Sequence, residues 1–356
     1  MKKYYRQIMI LIMCSLLICG CSKTNEQAEN IKNKDSKELE QDTDQENVYE
    51  VGDEGEPQTV FASSKVKNNY IADLTYHLFS YMDLGSENAA NVYSKDYIAK
   101  IEKIKKGYDV KDTLEEDLKD LTEVFYKRFS SLEKIMFIPF YVSSYEEFKN
   151  VVLTGGEFTE EDITDFVQPF LEVMEKEQEF YLPYWDNLWE SDKQNRSQFI
   201  EYLNTQFSPI QNLLDYEGII PEIYLCYSMS KNGRGFDKNG TKCVAVLSPT
   251  NEEKYSYSYF FVLHELTHVI TDPIVGVAVS PVGEDHNIIE KLVFLFDYYL
   301  LENLAPEQLP EYLDYIKIDD QQITDDKLEE IYEIKDEYKQ KLHEIVDTIV
   351  SGAHKK

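Results

Sequence analysis

Apolar residues recur along most of this chain at helical spacing. Between Thr113 and Phe129, Leu114, Leu118, Leu121 and Phe125 stand four, three and four residues apart, which makes one stripe on a 3.6-residue helix. The same style predicts helices over Asn68 to Met82, Asn91 to Lys106, Glu160 to Tyr181, Ser197 to Leu214, Pro306 to Tyr315 and Asp325 to Ser351, with a short one at Phe148 to Leu153. Strand character is confined to Glu222 to Ser228 (EIYLCYS) and Lys242 to Ser248 (KCVAVLS). They flank KNGRGFDKNG, whose Asn-Gly pairs suit turns, so a hairpin is predicted. No segment repeats at a fixed period, so a solenoid is not indicated. The pattern describes an α+β fold that is predominantly helical, its small hairpin or sheet lying late in the chain.

One helical stretch departs from the amphipathic norm. Phe260 to Ile270, FFVLHELTHVI, is apolar almost all round yet carries His264, Glu265 and His268. Such a helix crosses a core, where three polar side chains are costly without partners. The two histidines are four positions apart, about 40° of rotation, so both imidazoles leave one face and can close on a single cation. Glu265 stands beside them, placed to take a proton from an activated water.

HELTH is the H-E-x-x-H signature, and here the sequence resembles the zincin metallopeptidases over about Lys242 to Leu301. The resemblance implies one zinc ion and a third protein ligand. VITDPIVGVAV, which follows the motif, lacks the third histidine of the metzincin branch. Glu290, with 21 residues between it and His268, looks like the ligand glutamate of the gluzincin, thermolysin-like branch. The resemblance also implies that the strand just before the motif helix, Lys242 to Ser248, forms the lip of a cleft that pairs with extended substrate. Pro273 is expected to end the motif helix, with IVGVAVSPVGED as the loop to the Glu290 helix.

Spacing on that second helix brings further candidates. His286 lies four residues before Glu290 and Asp297 seven after it, all within about 40° of one face. His286 is therefore a rival third ligand or an oxyanion donor. Asp297, or Asp272 four residues after His268, could hold a ligand imidazole by its other N–H. Tyr298 and Tyr299 are read as packing residues. So are the aromatics of Tyr181 to Trp189 (YLPYWDNLW), and His77 reads as a hydrogen-bonded core histidine.

The beginning of the chain changes the setting. Lys2, Lys3 and Arg6 precede the eleven-residue apolar run Ile8 to Ile18, too short for a bilayer, which takes about 20 residues. Residues 1–20 thus read as an export signal, and LICGC resembles a bacterial lipobox with cleavage before Cys21, the implied lipidation site. An uncleaved short anchor is the other reading, and both leave the remainder outside the cytoplasm. Residues 21–60 are polar and acidic and read as a disordered tether. Residues 61–217 form the helical region and 218–356 the zincin-like metal-binding region.

The formal charge is −31, and losing the three signal cations makes it −34. Such acidity disfavours nucleic acid as a partner. Of five cysteines, Cys14 and Cys19 leave with the signal. Cys226 and Cys243 remain, either as a disulfide or as two buried free thiols.

Together these readings give an exported zinc metallopeptidase, lipid-anchored at Cys21 to the extracellular face of a bacterial membrane and acting on peptide or protein substrates. His264, His268 and Glu290 are its expected ligands and Glu265 its general base. A zinc-binding lipoprotein without turnover, serving as an interaction module, is the alternative. Transport of a solute is disfavoured, because the chain lacks the strand–helix alternation of two-lobed receptors.

Overall fold

The computed structural model describes residues 61, 65–82, 95–218, 220–229, 233–249, 254–275, 284–316, 328, 332 and 334–352, excluding the side chains at 95, 96, 217 and 284–287. The export signal, Cys21, the tether and the side chain of His286 therefore lie outside the described residues.

A short strand β1 (Val66–Lys67) precedes helices α1 (Tyr70–Tyr81), α2 (Lys95–Gly107), α3 (Leu114–Lys127), α4 (Tyr145–Thr154), α5 (Gln168–Ser191), α6 (Lys193–Phe207) and α7 (Gln211–Glu217). Then come β2 (Glu222–Cys226), β3 (Arg234–Lys238) and β4 (Thr241–Leu247). Helices α8 (Tyr255–Val275), α9 (Glu284–Leu304), α10 (Leu309–Tyr315) and α11 (Asp336–Val350) complete the order. Mostly helical with one four-stranded sheet, the chain has the α+β architecture that its pattern predicts. Among the described residues no helix is long and apolar enough to cross a membrane.

Helix α3 shows how pattern becomes packing. Leu114, Leu118, Leu121 and Phe125 are its buried residues, and Glu115, Glu116 and Asp117 place negative charge at the positive end of its dipole. The run predicted as one helix over Ser197 to Leu214 is two, α6 and α7, with Pro209 between them. Helix α8 runs two residues past Pro273, so that proline does not end it. A proline in the last turn forfeits one backbone bond and leaves the preceding turns intact.

The sheet has the order β1-β2-β4-β3. Strands β2 and β4, predicted as a hairpin, are instead parallel neighbours, with Ile223 opposite Val244 and Leu225 opposite Val246. The true hairpin is β3–β4, closed by Asn239 and Gly240 at φ 53° and 81°, the left-handed pair of a tight two-residue turn. Strand β3 lies at the far edge from β1, and β4 lies between β2 and β3. Lys242 to Ser248 is thus interior, and β3 holds the edge position expected of it.

Alternation along the strands separates two cores. Ile223, Leu225, Val244 and Val246 join the apolar cluster of α8, α9 and α11, whereas Tyr224, Cys226, Cys243 and Ala245 join that of α1 to α5. Helices α6 and α7 lie before the 217/218 boundary drawn from sequence, yet Phe199, Leu203, Phe207, Leu213 and Leu214 pack in the cluster of α8. Cys226 and Cys243 are buried free thiols rather than a disulfide. The parallel register sets Cys243 opposite Glu222, so Cys226 is four residues further along, roughly 13 Å, beyond disulfide reach.

Candidate metal centre

Helix α8 is packed by β4, α6, α9, α10 and α11, which is why it is apolar nearly throughout. Its central turns hold His264, Glu265 and His268, none more than 2% exposed. The Nε2 atoms of the two histidines are 3.3 Å apart. Glu290, from the adjacent α9, brings Oε2 to 3.3 Å from His264 Nε2 and Oε1 to 3.4 Å from His268 Nε2. One donor atom from each of His264, His268 and Glu290 lies within 4.8 Å of the others, and this buried group could hold a metal ion.

Each imidazole faces a second carboxylate. His268 Nδ1 meets Asp272 Oδ1 at 3.0 Å, one turn along α8, where the Asp272 side chain keeps 36% exposure. His264 Nδ1 stands 3.6 Å from Asp297 Oδ2, which is too long for a hydrogen bond. Asp297 is fully buried and fixed by the Thr267 hydroxyl, which donates to Oδ1 at 2.6 Å. Seven residues separate Glu290 from Asp297, two turns of α9, so one helix face supplies both carboxylates.

Burial pulls the His264 imidazole down in pKa, but Asp297 and Glu290 outweigh it and raise the group to about 10. Burial pushes the Asp297 carboxyl up, with His264 opposing. Without a metal this centre therefore binds a proton tightly. Two imidazole nitrogens and a carboxylate oxygen, converging with no lysine or arginine among them, fit a cation such as zinc.

Glu265 sits where the sheet meets the helix. Its Oε1 is buried with no hydrogen-bond partner, and a Cβ added at Gly235 of β3 would stand 1.9 Å from its Oε2. Only glycine lets the edge strand pass this close to the carboxylate. A Cβ at Gly233 would likewise meet Ala245 O at 2.1 Å and the Phe261 ring at 2.5 Å. Neither glycine was singled out from sequence, where both lie in KNGRGFDKNG and only its Asn-Gly pairs were read, as turns.

The structure thus brings together His264, His268, Glu290, Glu265, Asp272 and Asp297. Tyr298 and Tyr299 lie in the core beside them, 3% exposed each, with Tyr299 against His343 at 4.2 Å. Elsewhere, His77 is held by Tyr97 and Glu177, and the rings of Tyr181, Tyr184 and Trp185 pack among one another and against Tyr70. No family model matches the chain, and no curated protein or solved structure does either.

Proposed function

We propose that this chain is a zinc-dependent peptidase of the zincin type, exported and anchored through a lipid on Cys21. The observation that carries the reading is the convergence of His264, His268 and Glu290 within 4.8 Å, with the Glu265 carboxylate on the same helix beside an edge strand. His264, His268 and Glu290 would hold the ion; once bound, zinc supplies a Lewis acid that polarises the scissile carbonyl and activates water.

The remaining steps belong to the chain's own residues. Glu265 accepts a proton from the attacking water and returns it to the departing amine, a relay worth about 10²- to 10⁴-fold in rate. Its burial keeps competing water from the carboxylate. Asp272 orients the His268 imidazole through its contact with Nδ1, Asp297 faces Nδ1 of His264 at 3.6 Å, and both rings present Nε2 inward. Among the described residues strand β3 is paired on one side only, by β4, and it offers an extended peptide main-chain hydrogen bonds beside Glu265. Since the four central side chains are at most 2% exposed, a peptide reaches them only if their cover shifts as it binds.

The test measures zinc content and cleavage of a mixed peptide library for the wild-type chain, Glu265→Gln and Glu290→Ala. One zinc per chain in wild type and Glu265→Gln, weakened binding in Glu290→Ala, and cleavage by wild type alone would support both ligand and base assignments. Zinc with no cleavage of any peptide would favour a metal-binding interaction module. A wild type that binds no zinc would remove the mechanism.

A further inference from the structure

One buried charge near the site has no anionic counterpart among the described residues. Arg234, the first residue of β3, is 2% exposed and ranks among the largest fully buried side chains. Its Nη1 donates to the neighbouring Gly233 carbonyl at 3.0 Å, while Nε is buried with no acceptor. No described carboxylate forms an ion pair with it. Lys105 is also about as deeply buried, and there Glu177 and Asp112 stand 2.8 and 3.0 Å away. A buried cation normally demands such partners, and a guanidinium has five donors to satisfy.

Position shows where an anion would come from. Arg234 adjoins Gly235, the residue lying directly against Glu265. Strand alternation sends its Cβ to the opposite face from that contact, and the bond to the Gly233 carbonyl brings the guanidinium back alongside the strand. β3 is the sheet's edge, with no strand beyond it among the described residues. A peptide paired along that edge advances about 3.4 Å per residue, so groups within about two residues of the scissile bond pass Arg234. Glu265, Glu290, Asp272 and Asp297 make the surroundings acidic and would repel a substrate carboxylate unless a cation received it.

We infer that Arg234 is a specificity residue that receives a carboxylate of the peptide substrate, either its C-terminus or an acidic side chain within about two residues of the cleaved bond. The inference rests on the peptidase reading. The planar guanidinium can donate to the two carboxylate oxygens side by side, a match lysine cannot reproduce. An arginine held ready without a partner is a stability cost borne by the free protein, relieved when substrate arrives.

The full chain carrying Glu265→Gln, which should bind peptide without cleaving it, is loaded with zinc and titrated calorimetrically with matched peptides. One pair differs in a free or amidated C-terminus, and another in Glu or Gln beside the central bond. A carboxylate peptide should bind about tenfold tighter or better than its neutral partner. Adding Arg234→Met should erase that preference, and Arg234→Lys should keep only part of it. Melting temperature gives an independent readout: with no ion pair to lose and a buried charge removed, Arg234→Met should be at least as stable as its parent.

Equal affinities in the parent, a preference that survives Arg234→Met, or a clear loss of stability in that variant would each overturn the assignment. A parent that binds zinc and no peptide overturns it too. A parent that binds neither defeats the peptidase reading itself.

Discussion

Two histidines lie at the centre of buried polar clusters on opposite sides of the sheet, and their surroundings move them in opposite directions. Around His77, Nδ1 meets the Tyr97 hydroxyl at 2.8 Å and Nε2 meets Glu177 at 2.9 Å, with Tyr181 stacked on the ring at 4.3 Å. Burial lowers its pKa, and Glu177 opposes without prevailing. Around His264, burial acts the same way but two carboxylates reverse it, to about 10. A resident cation marks the first cluster: Lys105 shares Glu177 with His77, whereas among the described residues no lysine or arginine forms an ion pair with His264, His268 or Asp297. The first cluster is closed by its own atoms, whereas the second has the charge and geometry to take in a metal.

Removing one carboxylate from each cluster should separate them. Glu177→Ala strips a buried histidine and lysine of their common partner and is expected to destabilise the protein by about 3–5 kcal/mol, read from denaturant unfolding, with zinc binding unchanged. Next in size is the effect of the metal itself. Zinc at a hundredfold excess over its dissociation constant should stabilise wild type and Glu177→Ala by about 2.7 kcal/mol and should do little for Glu290→Ala. Equal stabilisation of all three by calorimetry would remove Glu290 from the ligand set.

The carboxylates behind the imidazoles should matter less. Asp297→Asn should lower zinc affinity by about 10- to 100-fold in competition with a chelator, because a fully buried carboxylate faces His264 Nδ1. Asp272→Asn should fall at the lower end of that range, since the Asp272 side chain is 36% exposed and water can replace it.

A separate effect, outside this ranking, concerns pH. His264 has a folded pKa of about 10, above its ordinary 6.5, so its protonation stabilises the metal-free protein fully below about pH 6.5. That contribution is lost as pH rises through 10. Metal-free melting temperature should decline across this window while zinc affinity climbs, because the ion must displace the proton. A flat affinity profile between pH 6.5 and 10 would contradict the coupling.

Three site residues were legible because a helix fixes their geometry locally. His264, Glu265 and His268 lie within five consecutive positions, and their relation needs nothing beyond the 3.6-residue turn. Glu290 and Asp297 were legible in their spacing to each other. The choice between Glu290 and His286 was not, because it depends on how α8 packs against α9.

Strand β3 was hidden for a different reason. Its sequence RGFDK has neither a β-branched residue nor clean alternation, and its pairing comes from β4 through the Asn239-Gly240 turn. The parallel pairing of β2 with β4, which sets Glu222 opposite Cys243, replaces the expected β2–β4 hairpin and decides for free thiols over a disulfide. Both cysteines do share a face, as strand parity requires, but a parallel register offsets them by four residues.

The sequence by itself determined the helices, the composition of the cores and the local H-E-x-x-H triad, since each arises from periodicity within a few turns. Tertiary structure alone decided which strand is the edge, that Gly235 lies against Glu265, and that Arg234 is buried among the described residues without a carboxylate. Those relations join residues 20 or more positions apart, where chain entropy leaves local preference silent and only packing selects the partner.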